Sequence, residues 1–163
     1  GVNSDKNYAY YPFVVLLKTA NLAVNNTLPF LVTANRFVTF IPTREAIDAA
    51  LAADAIPGIV GGNIDAAGHL NYMQLDEKAL NEYLRSYFLR GDQNVITAYP
   101  YPGSAFKSGS YTTVNGLKMN YTDNGTSLRV GWEGKNNVNV TPAYVYLPLA
   151  YGAGYCHCID SVP

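Results

Sequence analysis

The sequence is poor in charge. Only 14% of its 163 residues are Asp, Glu, Lys or Arg, and 11 basic against 12 acidic side chains leave a formal charge of -1, whereas soluble domains usually carry ~25% charged residues. No run of like charge occurs, so no basic stripe is present to neutralise a phosphate backbone, and no nucleic-acid partner is expected. Long apolar runs are missing too. Tyr11 to Leu17 and Tyr144 to Ala150 fall far short of the ~20 residues that cross a bilayer, so no transmembrane segment is expected. Cysteine is confined to Cys156 and Cys158, on either side of His157. On a strand the two thiols share a face with parallel Cβ vectors, which is poor disulfide geometry. His157 would point to the other face, which argues against a Cys-His-Cys metal set. Two free, buried thiols are the expectation.

Catalytic signatures are absent as well. The chain holds no G-x-G-x-x-G, Walker loop, H-E-x-x-H or C-x-x-C pattern. Gly103-Ser104 and Gly109-Ser110 lack the surroundings of a nucleophile elbow, and only His69 and His157 could act as bases. Asp65 and His69 stand four apart in a glycine-bearing loop with no further ligand at fixed spacing. Asp76-Glu77 is better explained as charge at a helix start than as a glycosidase pair. These absences predict a non-enzyme with no cofactor and no metal.

What is present is 48% hydrophobic residues in a length that suits one domain with its own core. With 16 asparagines and 14 tyrosines, the polar surface rests on Asn, Thr, Ser and Tyr, a texture that points to a secreted or cell-surface protein. Residues 1–10 read as an N-terminal arm and 11–163 as a single domain. Phe13, Leu16, Leu17, Ala20 and Val24 recur with a helical period, predicting a helix over 13–23 that ends near Asn25. Leu28 to Phe40 reads as extended chain reaching a strand. Thr43 sits where a helix N-cap is wanted ahead of Ile47, Ala50 and Leu51, and Asp76 likewise ahead of a helix over 75–88. That helix turns Leu80, Tyr83, Leu84 and Tyr87 inward, with a possible Glu82–Arg85 pair outside. The glycines between Ile56 and Tyr72 mark turns rather than elements. Beyond Gly91 the period changes to short strands: 95–99, 111–114, 116–121, 127–130, 138–140 and 154–162. Asn115-Gly116 and Asn124-Gly125 are hairpin turns. The class is α+β, with a helical front and a strand-rich back.

Aromatics are the candidate contacts. Tyr99-Pro100-Tyr101-Pro102-Gly103 is a stiff run that can display both rings from a loop. Tyr99, Tyr101 and Trp132, with Tyr144 and Tyr146 behind them, are the expected partner-contact residues. The alternative is that these rings fold back over the core edge. Asn25, Asn120, Asn124 and Asn139 each begin an N-x-Ser/Thr sequence, a glycan acceptor only in a eukaryotic secreted protein.

Three stretches carry a family resemblance. Phe37-Val38-Thr39-Phe40-Ile41-Pro42-Thr43-Arg44-Glu45-Ala46-Ile47 resembles the first conserved box of fasciclin-like domains, a Thr-x-Phe-x-Pro-Thr core followed by a helix. Gly154 to Val162 resembles their closing strand, with its Gly-x-x-His-x-Ile-Asp core. Leu80 to Gly91 and Val114-Asn115-Gly116 resemble the helix, turn and hairpin between them. The resemblance runs through nearly the whole chain. It implies a wedge-shaped β-sandwich of short strands with helices packed on one side, and makes Thr39, Pro42, Thr43, Gly91, His157 and Asp160 fold residues. His157 and Asp160 are expected to join a hydrogen-bond network holding the ends of the sheet.

It also implies adhesion: a non-enzymatic extracellular domain binding a protein or glycan through surface loops. The alternatives are a small-ligand or carbohydrate-binding module and a structural spacer in a multidomain protein. Ser86-Tyr87 stands where animal relatives carry the Tyr-His pair linked with integrin binding, which argues against that partner. Residues 57–71 and 141–152 look like family-atypical loops, the natural places for a member's own specificity. Together these features suggest a surface protein of a Bacteroidetes-type bacterium, associated with the outer membrane through tandem neighbouring domains or an N-terminal lipid anchor.

Overall fold

A computed structural model describes residues 11–25, 28–31, 36–89, 109–123, 128–148 and 153–163. The arm at 1–10, Gly91, the strand expected at 95–99, Tyr99, Tyr101 and the Asn124-Gly125 turn lie outside the described residues. The helices are α1 (Tyr11–Thr19), α2 (Arg44–Ala52) and α3 (Glu77–Arg85). Short strands β2 (Ile59–Val60), β3 (Asn63–Ile64), β4 (Leu70–Asn71) and β5 (Gln74–Leu75) fall between α2 and α3. The remaining strands are β1 (Arg36–Pro42), β6 (Phe88–Leu89), β7 (Gly109–Thr112), β8 (Lys118–Asp123), β9 (Leu128–Trp132), β10 (Val138–Pro148) and β11 (Ala153–Ile159).

Strand β1 is buried on both faces. Val38 and Phe40 point one way and Ile41 the other, as the period of two requires, and all three are fully enclosed. It pairs in parallel with β11, from Arg36↔Ala153 to Pro42↔Ile159, and antiparallel with β6 on its other side. The sheet runs β6-β1-β11-β10-β9-β8-β7. Its two edges then meet: Leu89 bridges Thr113, and Val114 N–H donates to the Phe88 carbonyl at 2.8 Å. The strands therefore roll into a near-barrel, which leaves little unpaired edge. Val38, Phe40, Leu89, Met119, Tyr121, Val130, Trp132, Val138, Val140 and Ile159 fill its interior.

The helices pack against the outer face of the β1 region. Phe13, Leu16 and Leu17 of α1, Ile47 and Leu51 of α2, and Leu80 and Leu84 of α3 join Ile41 and Phe88 in a second core. Both expected caps form: Thr43 Oγ1 accepts the Ala46 N–H at 3.2 Å, and Asp76 Oδ1 accepts that of Ala79 at 3.1 Å. The Thr43 N–H also donates to the Ile159 carbonyl at 3.0 Å, fixing the start of α2 to the end of the last strand. Helix α1 stops earlier than its apolar period suggests. Asn21 takes a left-handed conformation (φ 58) and the Leu22 N–H reaches back to the Leu17 carbonyl, a Schellman-type ending.

Other expectations need correction. The segment from Ile56 to Tyr72 holds β2 and the β3–β4 ladder, and β2 pairs with β5 just beyond it; each strand is too short for its alternation to show in sequence. Residues 141–148 extend β10 rather than forming an added loop, with a bulge between Thr141 and Val145 opposite Cys158–Cys156. Arg85 turns to Asn81 (Nε to Oδ1, 2.8 Å) and lies over the Phe30 ring, rather than serving Glu82. The Asn115-Gly116 turn joins β7 to β8 as expected, with Gly116 at φ 88.

Aromatic rings tie the two cores together. Phe13 stacks on Tyr87 at 5.4 Å, Tyr87 meets Trp132 at 5.7 Å, and Trp132 meets Phe40 edge-on at 5.8 Å. The Trp132 Nε1–H donates to the Ser86 carbonyl at 2.6 Å, which satisfies its one polar atom inside the protein. The Tyr83 and Tyr87 hydroxyls share a hydrogen bond of 2.5 Å. Burial pushes Tyr83 up to about 12 and Tyr87 well above its ordinary value. An unfolded tyrosine ionises near pH ~10, so the stability held by the neutral pair is complete below that pH and is lost as pH rises toward 12. For Tyr83 alone this amounts to roughly 3 kcal/mol. Urea unfolding at stepped alkaline pH should show wild type losing stability more steeply than Tyr83→Phe/Tyr87→Phe; equal slopes would contradict the assignment.

Candidate interaction surface

Among the described residues five large apolar side chains are exposed: Val24 after α1 and Leu117 in the β7–β8 turn stand apart, and the three most exposed share one segment. Met73 is 81% exposed, Tyr72 48% and Val60 41%. All three belong to the segment between α2 and α3. Strand β2 sends Ile59 into the helical core and so turns Val60 outward. Val60 pairs with Gln74, and its carbonyl accepts the Met73 N–H at 2.9 Å, which fixes Tyr72 and Met73 beside it. Gly61 follows at φ 64, donating its N–H to Asp54 Oδ1 at 2.8 Å. A Cβ at Gly61 would lie 2.7 Å from Met73 Cγ and Sδ; glycine is needed both for the backbone and for the methionine that lies over it.

The rest of the segment braces this apex. Gly62 is buried, and a Cβ there would lie 2.5 Å from Ile59 Cγ2 and 3.1 Å from Leu51 Cδ2. The β3–β4 hairpin closes through Asp65, whose carboxylate accepts the Ala67 N–H at 2.9 Å, the His69 N–H at 3.0 Å and Asn71 Nδ2 at 3.0 Å. The Asn71 amide foremost, with the His69 and Ala67 N–H groups, holds Asp65 below the usual carboxylate value. Asp65 is thus a turn organiser. Tyr11 OH of α1 donates to the Gly68 carbonyl at 3.2 Å, and the Asp76 N–H to that of Gly58 at 2.7 Å, anchoring both ends of the segment to helices.

A second feature is an open cleft of about 690 Å³ between α3 and the β7–β8 turn, lined by Lys78, Asn81, Glu82, Arg85, Val114, Asn115 and Gly116. Its amides are locked in place: Asn81 Nδ2 donates to the Ala20 carbonyl at 2.9 Å and Asn115 Nδ2 to that of Glu82 at 3.1 Å. Among the described residues, no three His, Cys, Asp or Glu side chains come together as a metal set, and no helix is long and apolar enough to cross a membrane.

Of the aromatic candidates, only the Trp132 side chain lies among the described residues. Trp132 is a core residue, 3% exposed, because its ring links the two cores; as a partner contact it is withdrawn. Tyr144 stands in the β10 bulge and Tyr146 pairs with Tyr155, with their side chains outside the described residues. Among the fold residues, Thr43 caps α2 and Pro42 closes β1 opposite Ile159. His157 is in register with Phe40, and its side chain and that of Cys156 lie outside the described residues. Cys158 is a half-buried thiol. Asp160 is exposed rather than buried. Its carboxylate accepts Asn139 Nδ2 at 3.1 Å and the Asn139 N–H at 3.3 Å, clamping the end of β11 to β10.

Val60, Tyr72 and Met73 were not among the residues singled out by sequence. The available signal was Tyr72-Met73 itself, an apolar pair between Asn71 and Gln74 in a glycine-bearing stretch.

The architecture is that of the fasciclin-like (FAS1) fold. Among solved structures, a FAS1 domain pair from the insect cell adhesion molecule Fasciclin I is similar over 97% of this chain, at 20% identity and a TM-score of 0.57. The match spans 46% of that chain, about half its length. No protein-family model matches the sequence, and no curated protein is significantly similar to it.

Thr39, within the resembling box that starts at Phe37, makes a pointed test. It is fully buried between β11 and β6, and among the described residues its Oγ1 has no hydrogen-bond partner. A buried hydroxyl without a partner costs ~1–3 kcal/mol. Thr39→Val keeps the shape and removes that cost, so chemical denaturation should show a gain of about 1 kcal/mol. A loss of that size would show that the hydroxyl is a necessary part of the fold.

Proposed function

We propose that this chain is a non-enzymatic extracellular or cell-surface interaction domain that holds a protein partner through the Val60–Tyr72–Met73 apex. The carrying observation is the apex itself. Three large apolar side chains stand exposed on a backbone fixed by Asp54, Asp65 and the Val60–Met73 hydrogen bond. Exposed apolar surface presented on an ordered scaffold is what interfaces are made from. The likeness of fold to a domain pair of an insect cell adhesion molecule supports the same reading. Tyr99, Tyr101, Tyr144 and Tyr146 are proposed as further contacts. Tandem neighbours or a lipid anchor, in a Bacteroidetes-type outer membrane, would hold the domain at the surface.

A second reading, glycan binding, is favoured by the cleft beside α3, where the exposed Lys78 offers a donor and the exposed Glu82 carboxylate an acceptor between amides held in place by the protein.

The purified domain should be screened against a panel of matrix and bacterial surface proteins and a glycan array, with Tyr72→Ser/Met73→Ser alongside. Both positions are exposed, so the variant should unfold as wild type does. A protein partner should be captured and its affinity should fall at least about tenfold in the variant, in line with hot-spot losses of ~2 kcal/mol or more. A glycan partner indifferent to the variant would transfer the function to the cleft. Silence from the folded domain would overturn both.

A further inference from the structure

The apex sits in an acidic field. From Glu45 to Glu77 the chain carries six carboxylates, Glu45, Asp48, Asp54, Asp65, Asp76 and Glu77, and no lysine or arginine. All are exposed except Asp65, which is half-buried. Two of the carboxylates accept hydrogen bonds at the apex, and a third residue joins it through its backbone. Asp54 holds Gly61, Asp65 holds Asn71 next to Tyr72, and the Asp76 N–H is bonded to Gly58, one residue before β2. In a chain whose overall charge is near balance, the stretch between Arg44 and Lys78 holds only negative charge, and its two carboxylates bonded at the apex, Asp54 and Asp65, stand beside the most exposed apolar side chains.

We infer that the apex docks a protein face consisting of an apolar depression bordered by lysine and arginine. This rests on the apex being the interaction surface and adds the chemistry of its partner. Complementary charge steers encounter and suppresses partners of like sign. Anionic membranes, nucleic acids and sulfated glycans are repelled by the same rim. A second copy of this apex is repelled as well, which disfavours self-association through it. Met73 is the anchor: an unbranched, polarisable side chain lying over Gly61 can adapt to a pocket.

The probe is a short amphipathic helical peptide of leucine and lysine, with a control in which glutamate replaces lysine, titrated into the domain and followed residue by residue by NMR. The lysine peptide should bind saturably, at least about tenfold tighter than the glutamate peptide, with shifts centred on residues 58–76. Raising salt from about 0.05 to about 0.5 M should weaken it about tenfold, because exposed charges are screened within ~10 Å already at 0.1 M. Asp54→Asn/Asp65→Asn/Glu77→Gln should weaken it similarly. Asparagine keeps the carbonyl acceptor for Gly61 at position 54 and for Ala67 and His69 at position 65, where the bond to Asn71 is lost, and unchanged circular dichroism checks the fold. Tyr72→Ser/Met73→Ser should abolish binding.

Equal affinity for the two peptides, or indifference to salt and to the charge variant, would overturn the charge assignment while leaving the apex as a docking surface. Binding of the lysine peptide that survives Tyr72→Ser/Met73→Ser would overturn the apex itself, as would no binding of either peptide.

Discussion

The parallel pairing of β1 with β11 is the constraint on which the rest depends. It joins strands from opposite ends of the described chain, and it can exist only if both faces of the pair are covered, since parallel strands have no solvent-tolerant face here. Val38, Phe40 and Ile159 supply one covering, the barrel interior; Ile41 supplies the other, the helical core. Because Thr43 caps α2 while its own N–H bonds to Ile159, the helix layer is set by the same strand pair. Loss of that pairing would open the barrel and undock the helices together. Contacts of such sequence separation form late and slowly, so cooperative, comparatively slow folding follows from the topology.

The aromatic spine makes the two cores one structure. Phe13, Tyr87, Trp132 and Phe40 pass from helix to barrel through the sheet region, and Trp132 and Tyr83–Tyr87 place their polar atoms on internal partners. The apex is built differently. Its ladders are two residues long, its order comes from carboxylates receiving backbone N–H groups, and its apolar side chains contribute little to either core. A scaffold stabilised elsewhere is free to carry an exposed apolar tip, which is how interaction loops are commonly placed.

Much of the scaffold was legible in the sequence because local chemistry and global fold agree there. Thr43 and Asp76 are caps by type and by position, Leu80 and Leu84 are helical core by period, and Asn115-Gly116 is a hairpin turn. The α+β class follows from the change of period along the chain, and the helices on one side from what the family resemblance implies. Less of the surface was legible. Trp132 looks the same in sequence whether it stacks on a partner or on Phe40, and only its burial against Phe40 and Tyr87 and its hydrogen bond to Ser86 decide. Asn21 ends α1 through a backbone angle that the apolar period does not encode. The apex was hidden because residues 59–75 were too short in alternation to read as strands, and without strands nothing told Val60 from Ile59. The residues that organise it, Asp54 and Asp65, act through backbone N–H groups brought close only by the fold.

Residue-resolved native-state hydrogen exchange tests the central claim, that one buried strand pair unifies the fold and carries a pre-ordered apex. Amides along Val38–Ile41 and Ile159 should exchange only through global unfolding, whose free energy denaturant titration gives independently. Those of Gly61 and Met73, bonded to Asp54 and Val60, should be protected well above open-chain rates though less than the strands. Open-chain exchange at Gly61 and Met73, or sub-global opening of β1 from β11, would contradict the account.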